Sequence, residues 1–374
     1  MAGEMREIDV EGLRRWLDAG KAVTVLDVRP AAQRAEWAIP GSIHIDASEA
    51  LWAEDPRALA DAKLPADRPV VTVCAKGRTS LLAAKRLADR GFEVSSLAGG
   101  MQAWSLAWNL AEVPLGAEAA GARVIQVRRT GKGCLSYIVG ASGEAVVIDP
   151  SVGPEVYVEI AAREGWKIRH VLETHVHADH LSRGRALAAQ TGATLRVPET
   201  ARVKYACAFV RDGDAVELGG LRITALRTPG HTMESTCYRL GEAALVSGDT
   251  LFLATVGRPD LEASVEESRE RARALHRSLR RIEGLPASLL VLPCHTSAPI
   301  PFDGRPVAAP LGEVLARIQP LVRSTEDAFV ASILARIPPT PPNHRRLVEL
   351  NETGAAPCEN PTELEAGANR CAVG

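Results

Sequence analysis

The sequence predicts an α/β protein with an N-terminal doubly wound parallel sheet, a two-sheet α/β sandwich after it, and a C-terminal helical extension. The chain has 374 residues, of which 46% are hydrophobic, so it can form two or three domains with substantial cores. In the first hundred residues, apolar runs typical of buried strands alternate with amphipathic helices, as in parallel sheets. Farther along, short strands in hairpin-like pairs mix with helices, which favours two packed sheets over one wound sheet.

The N-terminal elements follow from capping and periodicity. Asp9 is expected to cap a helix that runs to about Ala19 and ends at Gly20. A second helix, with apolar positions from Leu81 to Leu87, should end at Gly91. Three apolar runs are predicted to be the buried strands of the parallel sheet: residues 22–26, 69–73 and 92–97.

Small residues without periodicity at 114–122 predict a linker. We therefore place one domain at residues 1–112, the linker at 113–122, a second domain at 123–300, and a helical extension with a tail at 301–374. In the extension, helices are predicted near residues 312–318 and 326–337 before a proline-rich break at 338–342. The tail from residue 355 onward is expected to be disordered.

Charge and composition exclude several classes of function. The formal net charge is −2, which argues against nucleic acid or a membrane surface as a partner. No apolar stretch approaches 18 residues, and the charged start lacks the apolar segment of a signal peptide. Seven scattered cysteines do not suggest a disulfide framework, so a cytoplasmic protein is expected.

The segment 175–180, with the sequence HVHADH, contains four potential metal ligands directly after an apolar run. Imidazole and carboxylate groups are ligands for zinc, iron or manganese. A strand followed by such a loop and a helix places the ligands at the strand's carboxyl end, where α/β sheets keep their sites. The candidate ligands in this segment are His175, His177, Asp179 and His180.

Three more candidate ligands follow predicted strands elsewhere in the chain. His231 lies in a Pro-Gly turn, Asp249 follows Ser247-Gly248, and His295 follows Pro293-Cys294. Each would stand where a strand end can converge on the first segment. Together the seven residues indicate a metal centre.

This set, over about residues 123–296, resembles the metallo-β-lactamase superfamily, which has an αβ/βα sandwich fold. The resemblance implies two zinc ions and hydrolysis by a metal-activated hydroxide, as in glyoxalase II. One zinc would bind to His175, His177 and His231. The other would bind to Asp179, His180 and His295, with Asp249 as a bridge.

A competing resemblance comes from Gly257-Arg258-Pro259-Asp260, which is similar to a segment of persulfide dioxygenases. Residues 341–344 and Leu350-Asn351 are also similar to such chains. This resemblance implies one Fe(II) per chain, held by His175, His231 and Asp249, which leaves positions for dioxygen and a substrate sulfur. The other ligands would then orient groups around the iron. The ligand types alone do not choose between iron and zinc.

Two side chains concern the substrate. Arg258 could bind a substrate carboxylate, and a fold-stabilising ion pair is the equal alternative. Glutathione-using relatives tend to have a tyrosine two residues after the last motif histidine, where this chain has Ser297. The thiol carrier, whether glutathione, coenzyme A or another thiol, therefore stays open.

Cys74 begins a short loop between a predicted strand and a helix. Backbone N–H groups of such a loop, together with Lys76 and Arg78, would stabilise a thiolate or a bound persulfide. With Asp27-Val28-Arg29, Ile39-Pro40-Gly41 and the segment 97–104, the loop resembles a rhodanese domain over about residues 8–108. The chain departs from that pattern at Arg78-Thr79, where the arginine comes one place early, and at Trp37-Ala38, where Gly-His is usual.

The remaining cysteines have no such setting. Cys134, Cys207 and Cys237 are expected in the core, and Cys294 is expected to pack near His295. Cys358 and Cys371 fall in the predicted tail.

The combined prediction is a persulfide dioxygenase with sulfurtransferase activity at Cys74. The implied small molecules are a thiol persulfide, dioxygen, and thiosulfate or sulfite. A zinc thioesterase fused to a rhodanese domain is the alternative. The direction of sulfur transfer stays open, as does a homodimer as the oligomeric state.

Overall fold

A computed structural model describes residues 6–116, 119 and 121–374. The N-terminal part contains a sheet of five parallel strands in the order β1-β5-β4-β2-β3. Its elements, in chain order, are β1 (Glu7–Ile8), α1 (Val10–Asp18), β2 (Thr24–Asp27), α2 (Ala31–Glu36), β3 (Ile43–His44), α3 (Ser48–Trp52), β4 (Val70–Val73), α4 (Arg78–Ala88), β5 (Val94–Leu97) and α5 (Gly100–Trp104).

The predicted N-terminal elements are confirmed. Asp9 caps α1, because its Oδ1 accepts a hydrogen bond from the Gly12 backbone N–H at 2.7 Å. All four residues of β2 and of β4 are buried, since helices cover both faces of the sheet. The doubly wound parallel sheet therefore agrees with the sequence prediction.

The second part is a sandwich of two sheets with helices outside. Its elements are β6 (Asn109–Val113), β7 (Arg123–Arg129), β8 (Cys134–Ala141), β9 (Glu144–Ile148), α6 (Pro154–Arg163), β10 (Lys167–Leu172), α7 (Gly184–Thr191), β11 (Thr194–Pro198), β12 (Ala208–Val210), β13 (Ala215–Leu218), β14 (Leu221–Arg227), β15 (Thr236–Leu240), β16 (Ala244–Gly248), α8 (Val265–Glu283), β17 (Leu290–Pro293) and β18 (Ala309–Pro310). One sheet has the order β12-β11-β10-β9-β8-β7-β6 and the other the order β13-β14-β15-β16-β17-β18. Val124, Val139 and Val146 of the first sheet share a core with Ile223, Leu240 and Val246 of the second. The predicted αβ/βα sandwich is confirmed.

The structure moves the boundary between the two parts. Strand β6 pairs antiparallel with β7 and forms an edge of the seven-stranded sheet. The sandwich therefore begins at Asn109, and the boundary placed at residue 112 falls inside a strand. The sequence did not reveal this because a five-residue edge strand is too short to show its partner. The predicted linker lies partly outside the described residues, at positions 117, 118 and 120.

The two parts are in direct contact. The Trp37 indole N–H donates to the Thr130 carbonyl at 3.2 Å, and the Arg129 Nε donates to the Ser105 carbonyl at 2.7 Å. Gly131 packs so closely on the Trp104 carbonyl that a Cβ at this position would clash. The end of β7 and the tight turn after it therefore dock on the N-terminal part through hydrogen bonds to backbone carbonyls and close packing at Gly131.

The C-terminal region packs on the sandwich, and its last residues are folded against it. It contains α9 (Leu311–Val322), α10 (Glu326–Leu334), α11 (His344–Thr353) and α12 (Pro361–Leu364). The expectation of a disordered tail is wrong. Residues 365–374 are here called the tail. The side chain of its first residue, Glu365, is fully buried and pairs with Arg129 and Arg183. Ala372 forms a bridge with Gly257, and Val373 N–H donates to the Val256 carbonyl at 2.9 Å.

None of the helices in the described ranges combines the length and the apolar character needed to cross a membrane.

The buried ion pair of the tail gives a stability prediction. Glu365→Ala would leave the Arg129 charge buried and unpaired, so the free energy of unfolding should fall by about 3–5 kcal/mol in urea titrations. Glu363→Ala is the matched control, because its side chain is 57% exposed and pairs with Lys76 only at 3.9 Å. The control should change stability by less than about 0.5 kcal/mol. Equal effects of the two substitutions would contradict the assignment.

The same ion pair predicts a pH dependence. Burial raises the pKa of Glu365, but Arg129 and Arg183 outweigh burial and lower it from 4.5 to about 2. A carboxyl group whose pKa is lower in the folded state than in the unfolded state stabilises the fold at pH values above its unfolded-state pKa. The contribution of Glu365 should therefore be complete above about pH 4.5 and be lost as the pH falls towards 2.

Candidate metal centre and thiol loop

Four strand ends of the sandwich bring the seven predicted ligands together. Residues 173–183, here called the ligand loop, follow β10 and carry the ligands of the first segment. His231 follows β14, Asp249 follows β16 directly, and His295 follows β17. All seven side chains are buried. The sequence prediction that these residues converge agrees with the structure.

His175, His231 and Asp249 form one group, here called the three-ligand site. The Oδ2 atom of Asp249 lies 3.7 Å from His175 Nε2 and 3.5 Å from His231 Nε2. Asp249 Oδ2 and His175 Nε2 are buried and have no hydrogen-bond partner among the described residues. Buried polar atoms without partners are costly, and a metal ion would satisfy them. The residues present therefore fit a metal.

Neighbouring groups orient the two histidines of the three-ligand site. The His231 Nδ1 donates to the Arg258 carbonyl at 2.7 Å, which leaves Nε2 free to bind a metal. The Nδ1 of His175 lies 2.9 Å from Thr174 Oγ1. Burial lowers the pKa of both histidines, and for His175 the neighbouring His177 lowers it further. Both rings are thus held in the neutral form that binds metals.

His177 has different partners. Its Nε2 lies 3.2 Å from Asp149 Oδ1 and 3.3 Å from Glu173 Oε2. Burial lowers the pKa of His177, but the two carboxylates outweigh burial and raise it well above its ordinary value. The three form a separate group beside the three-ligand site. His177 therefore acts here as the centre of a buried ion-pair network.

Asp149 was not identified from the sequence. It follows β9 with a φ of 50°, a strained value for a residue other than glycine. Its carboxylate accepts hydrogen bonds from the Thr174 backbone N–H at 2.7 Å and from Thr174 Oγ1 at 2.8 Å. The thiol of Cys294 donates to the same carboxylate at 2.6 Å. An aspartate at the end of an apolar strand was the available signal, but its partners are distant in sequence.

Asp179, His180 and His295 form a third group together with Cys134, here called the four-residue cluster. Cys134 is buried, as the sequence predicted, and its Sγ also lies 3.4 Å from Asp179 Oδ2 and 3.9 Å from His180 Nδ1. Burial and Asp179 raise the pKa of Cys134, but His180 and His295 outweigh them and lower it from 9.0 to about 7.

The segment Gly257-Arg258 passes close to the metal centre and forms a buried ion pair. A Cβ at position 257 would clash with the Asp249 carbonyl, so glycine allows the chain to pass the metal centre. The guanidinium of Arg258 is fully buried and bonds to both oxygens of Asp260 at 2.7 Å. It also donates to the carbonyls of Pro339 and Arg370. This placement favours the ion-pair alternative over the predicted binding of a substrate carboxylate.

Asn351 of α11 forms hydrogen bonds with the backbone of the ligand loop. Its Nδ2 donates to the carbonyls of His177 and His180 at 2.8 Å each, and its Oδ1 accepts from the Ser182 N–H at 2.9 Å. Three bonds from one side chain fix the loop's backbone. This explains in physical terms the Leu350-Asn351 pair that the sequence analysis singled out.

The tail closes one side of the metal centre. Asn369 Nδ2 donates to Asp179 Oδ2 at 2.9 Å, and potential ligand atoms of Cys371, Asp249 and His295 lie within 4.8 Å of one another. A cavity of about 120 Å³ reaches His295 between Phe252, Ser297 and the tail. Ser297, which replaces the tyrosine of glutathione-using relatives, lines this cavity.

Cys74 lies at the end of β4, in the segment 74–80, here called the thiol loop. Its Sγ accepts a hydrogen bond from the Gly77 N–H at 3.1 Å and lies 3.3 Å from Ser80 Oγ. Gly77 has a φ of 88° and precedes α4, so the helix N-terminus begins beside the sulfur. Gly100 lets α5 approach the Cys74 carbonyl, where a Cβ would clash. These donors suit a thiolate or persulfide anion.

A cavity of about 230 Å³ lies beside the thiol loop. Lys76 lines it, whereas Arg78 is not among its lining residues and is exposed. The opposite wall comes from the sandwich at Gly131 and from the tail at residues 366–368. Elements of both parts of the chain therefore form this cavity.

Two known protein families match the two parts of the chain. The rhodanese-like domain family matches residues 9–107, and the metallo-beta-lactamase superfamily matches residues 129–295. The hydroxyacylglutathione hydrolase of Methylococcus capsulatus is 34% identical over 201 residues, which cover 52% of this chain and 75% of that protein. The chain belongs to the metallo-beta-lactamase superfamily.

Other curated proteins and solved structures are also similar to this chain. The hydroxyacylglutathione hydrolase of Rhodospirillum rubrum is 37% identical over 41% of this chain, and the alignment spans 58% of that relative. Among solved structures, ETHE1 from Myxococcus xanthus aligns with a TM-score of 0.53 and 28% identity over 61% of this chain and 97% of its own. A metallo-beta-lactamase from Staphylococcus aureus aligns with a TM-score of 0.54 and 25% identity over 67% of this chain and 73% of its own.

These findings establish a rhodanese-like domain followed by a metallo-beta-lactamase-superfamily domain with a buried metal-binding site. The chain is accordingly an enzyme of the metallo-hydrolase or oxidoreductase type.

Asn351 gives a prediction for the metal centre. Asn351→Ala removes three hydrogen bonds that orient the ligand loop, so metal affinity should fall about 10–100-fold. Competition titration with a chromogenic chelator measures this change. Glu349→Ala, on the same helix and with only an exposed contact to Arg346, should leave the affinity unchanged. Unchanged affinity in the Asn351 variant would show that the loop keeps its shape without this support.

Proposed function

We propose that the sandwich is a persulfide dioxygenase and that the thiol loop is a sulfurtransferase site. The overall reaction would be RSSH + O₂ + H₂O → RSH + SO₃²⁻ + 2H⁺. The S–S bond breaks, the sulfane sulfur gives up four electrons to form sulfite, and dioxygen accepts them. The substrate is the persulfide of a small thiol whose identity is open.

The observation that supports this proposal is the separation of His177 from the three-ligand site. Two histidines and one carboxylate form the set typical of mononuclear non-haem iron. A ferrous ion held there would supply open positions for dioxygen and a sulfur ligand. His177, by contrast, is engaged with Asp149 and Glu173, whereas a dinuclear zinc site would need it as a ligand.

The chain's own residues would prepare the substrate in two ways. The cavity of about 120 Å³ between Phe252 and Ser297 reaches His295, which bonds to Asp249 of the three-ligand site at 2.6 Å, and on that side it would admit the sulfur end of a thiol rather than a bulky acyl group. Burial of every ligand side chain excludes bulk water, which protects a reactive persulfide.

At the thiol loop, the proposed step is Cys74-S⁻ + S₂O₃²⁻ → Cys74-S-S⁻ + SO₃²⁻. A new S–S bond forms at Cys74 while the S–S bond of thiosulfate breaks, and sulfite leaves with the electron pair. The Gly77 N–H and the start of α4 would stabilise the persulfide anion, and Lys76 would attract the dianion. The reverse step would consume sulfite formed in the sandwich.

The second candidate function is a zinc thioesterase in the sandwich. The curated relatives named hydroxyacylglutathione hydrolase favour it, since one is 34% identical over three quarters of its length. The Nδ1 of His177 is buried without a partner among the described residues, so a rotated ring could join a zinc site.

Metal content and dioxygen uptake distinguish the two functions. Protein reconstituted anaerobically with ferrous iron should bind one iron per chain and consume dioxygen when given glutathione persulfide or coenzyme A persulfide. His231→Ala should lose the iron, whereas His177→Gln should keep it because His177 is not a ligand in the proposal. Two tightly bound zinc ions, no dioxygen uptake, and hydrolysis of S-lactoylglutathione would establish the second candidate.

Cys74→Ser tests the thiol loop separately. Because serine forms no persulfide, thiosulfate:cyanide sulfurtransferase activity should fall at least about 10³-fold, in line with loss of a covalent nucleophile. Dioxygen uptake with a supplied persulfide should stay unchanged. Cys207→Ser, at a half-buried cysteine outside both sites, is the control. Retained transferase activity in Cys74→Ser would place the nucleophile elsewhere.

A further inference from the structure

We propose that the buried ammonium group of Lys132 binds sulfite between the metal centre and the thiol loop, so that sulfite formed in the sandwich passes beneath the tail to Cys74. The passage rests on the proposed function, whereas binding of the anion does not. The cavity of about 230 Å³ beside the thiol loop is here called the interface cavity. The cavity of about 120 Å³ that reaches His295 is called the metal-side cavity.

Lys132 is a buried cation without a carboxylate partner. It lies in the turn after β7 and is 3% exposed. Its Nζ donates to the Gly367 carbonyl at 3.3 Å and forms no ion pair among the described residues. Gly367 lines the interface cavity, so the ammonium group lies at the wall of this cavity. A buried charge with a single carbonyl partner is costly, and an anion in the cavity would neutralise it.

The charged side chains that line the interface cavity are otherwise paired or solvated. Arg29 Nη2 lies 2.7 Å from Asp27 Oδ2. Glu36 Oε1 lies 3.6 Å from Arg370 Nη2. Lys76 is 68% exposed and therefore solvated. The buried ammonium group is thus the charge that is left to attract an anion.

Ser105 offers a second hydrogen-bond donor. It lines the same cavity and is 2% exposed, and its hydroxyl has no hydrogen-bond partner in the part of the chain that the structure describes. The three oxygens of sulfite can accept from an ammonium group and a hydroxyl at once, and such charge-assisted hydrogen bonds are strong. The pair therefore suits a small sulfur oxyanion.

The walls of the two cavities meet at Gly133, the neighbour of Lys132. A Cβ at position 133 would lie 3.0 Å from the Trp37 ring and 2.5 Å from the Thr296 carbonyl. Trp37 lines the interface cavity, and Thr296 lines the metal-side cavity. The tryptophan that departs from the rhodanese pattern therefore belongs to the wall between the two sites.

The tail forms the opposite wall of both cavities. Residues 366–368 line the interface cavity, whereas Asn369 and Ala372 line the metal-side cavity. Lys132 is hydrogen-bonded to this segment at Gly367. An anion at Lys132 would therefore lie between the two sites, with only Gly133 and the tail beside its path.

The passage joins the two proposed activities in a balanced sequence of steps. One thiol persulfide is oxidised to sulfite in the sandwich, and a second loads the thiol loop: RSS⁻ + Cys74-S⁻ → RS⁻ + Cys74-S-S⁻. Sulfite then takes the sulfane sulfur: Cys74-S-S⁻ + SO₃²⁻ → Cys74-S⁻ + S₂O₃²⁻. The lone pair of sulfite forms the new S–S bond, and the Cys74 thiolate leaves with the electron pair of the broken one.

Isothermal titration calorimetry tests the anion site on iron-loaded Cys74→Ala protein, which forms no persulfide. We expect one sulfite per chain, bound at least about 10-fold more weakly in Lys132→Met because a charge-assisted hydrogen bond is lost. Lys132→Arg keeps the charge and should keep the affinity. Lys167→Met is the control, because Lys167 is exposed at the start of β10.

Three calorimetric results would overturn the proposal. Undiminished binding in Lys132→Met would place sulfite at the iron, and loss confined to Lys76→Met would place it at the thiol loop. Thiosulfate bound more than 10-fold tighter than sulfite would make the site one for thiosulfate. Should Lys132→Met fail to fold, selenate soaked into crystals of the Cys74→Ala protein should give an anomalous peak beside Lys132 Nζ, and its absence there would equally contradict the assignment.

An isotope experiment tests the passage on protein with Cys74 intact. The protein receives a persulfide with ³⁴S as its sulfane sulfur, together with excess unlabelled sulfite. We expect the sulfonate sulfur of the thiosulfate formed to contain more ³⁴S than the sulfite in solution, and Lys132→Met to remove this excess. Equal ³⁴S contents in unaltered protein that consumes dioxygen would refute the passage. Absence of dioxygen uptake would instead refute the proposed function, and calorimetry would still decide whether Lys132 binds the anion.

Discussion

The geometry of the metal centre depends on the hydrogen bonds that the Asp149 carboxylate accepts. The carboxylate binds Thr174, which precedes His175, and also Cys294, which precedes His295. Its Oδ1 also lies 3.2 Å from His177 Nε2, so one side chain from the first sheet positions residues on both sheets. The strained φ of 50° costs on the order of 1–3 kcal/mol, and the several hydrogen bonds of the buried carboxylate offset it.

The tail connects the two candidate sites. Residues 366–368 line the cavity beside the thiol loop, and Asn369 and Cys371 reach the metal centre a few positions later. Glu365 fixes the start of this segment through its buried ion pair with Arg129, the last residue of β7, which also bonds to Ser105 of the N-terminal part. Any change in how the tail is seated would therefore affect both cavities together.

Local patterns in the sequence predicted many of the site residues, whereas residues whose partners are distant in the chain were missed. The HVHADH segment, the thiol loop and the strand periodicity are continuous in the chain, and the other three ligands each follow a predicted strand, so the fold class and seven residues of the metal centre were predicted. Asp149, Cys134 and Asn369 stand alone in the sequence, and only the packing of the two sheets and the tail brings them to the ligands. Glu365 was assigned to a disordered tail because a sequence of small and polar residues does not show a buried arginine 236 positions away.

The tail is synthesised after all the other residues of the metal centre. Asn369 leaves the ribosome 190 residues after its partner Asp179, so the ligand loop is complete long before its cover exists. Contacts of such high sequence separation form late in folding, because their loop-closure entropy is the largest. During translation the metal centre would be open on the side that the finished chain closes, which gives ions a route to their ligands that later narrows.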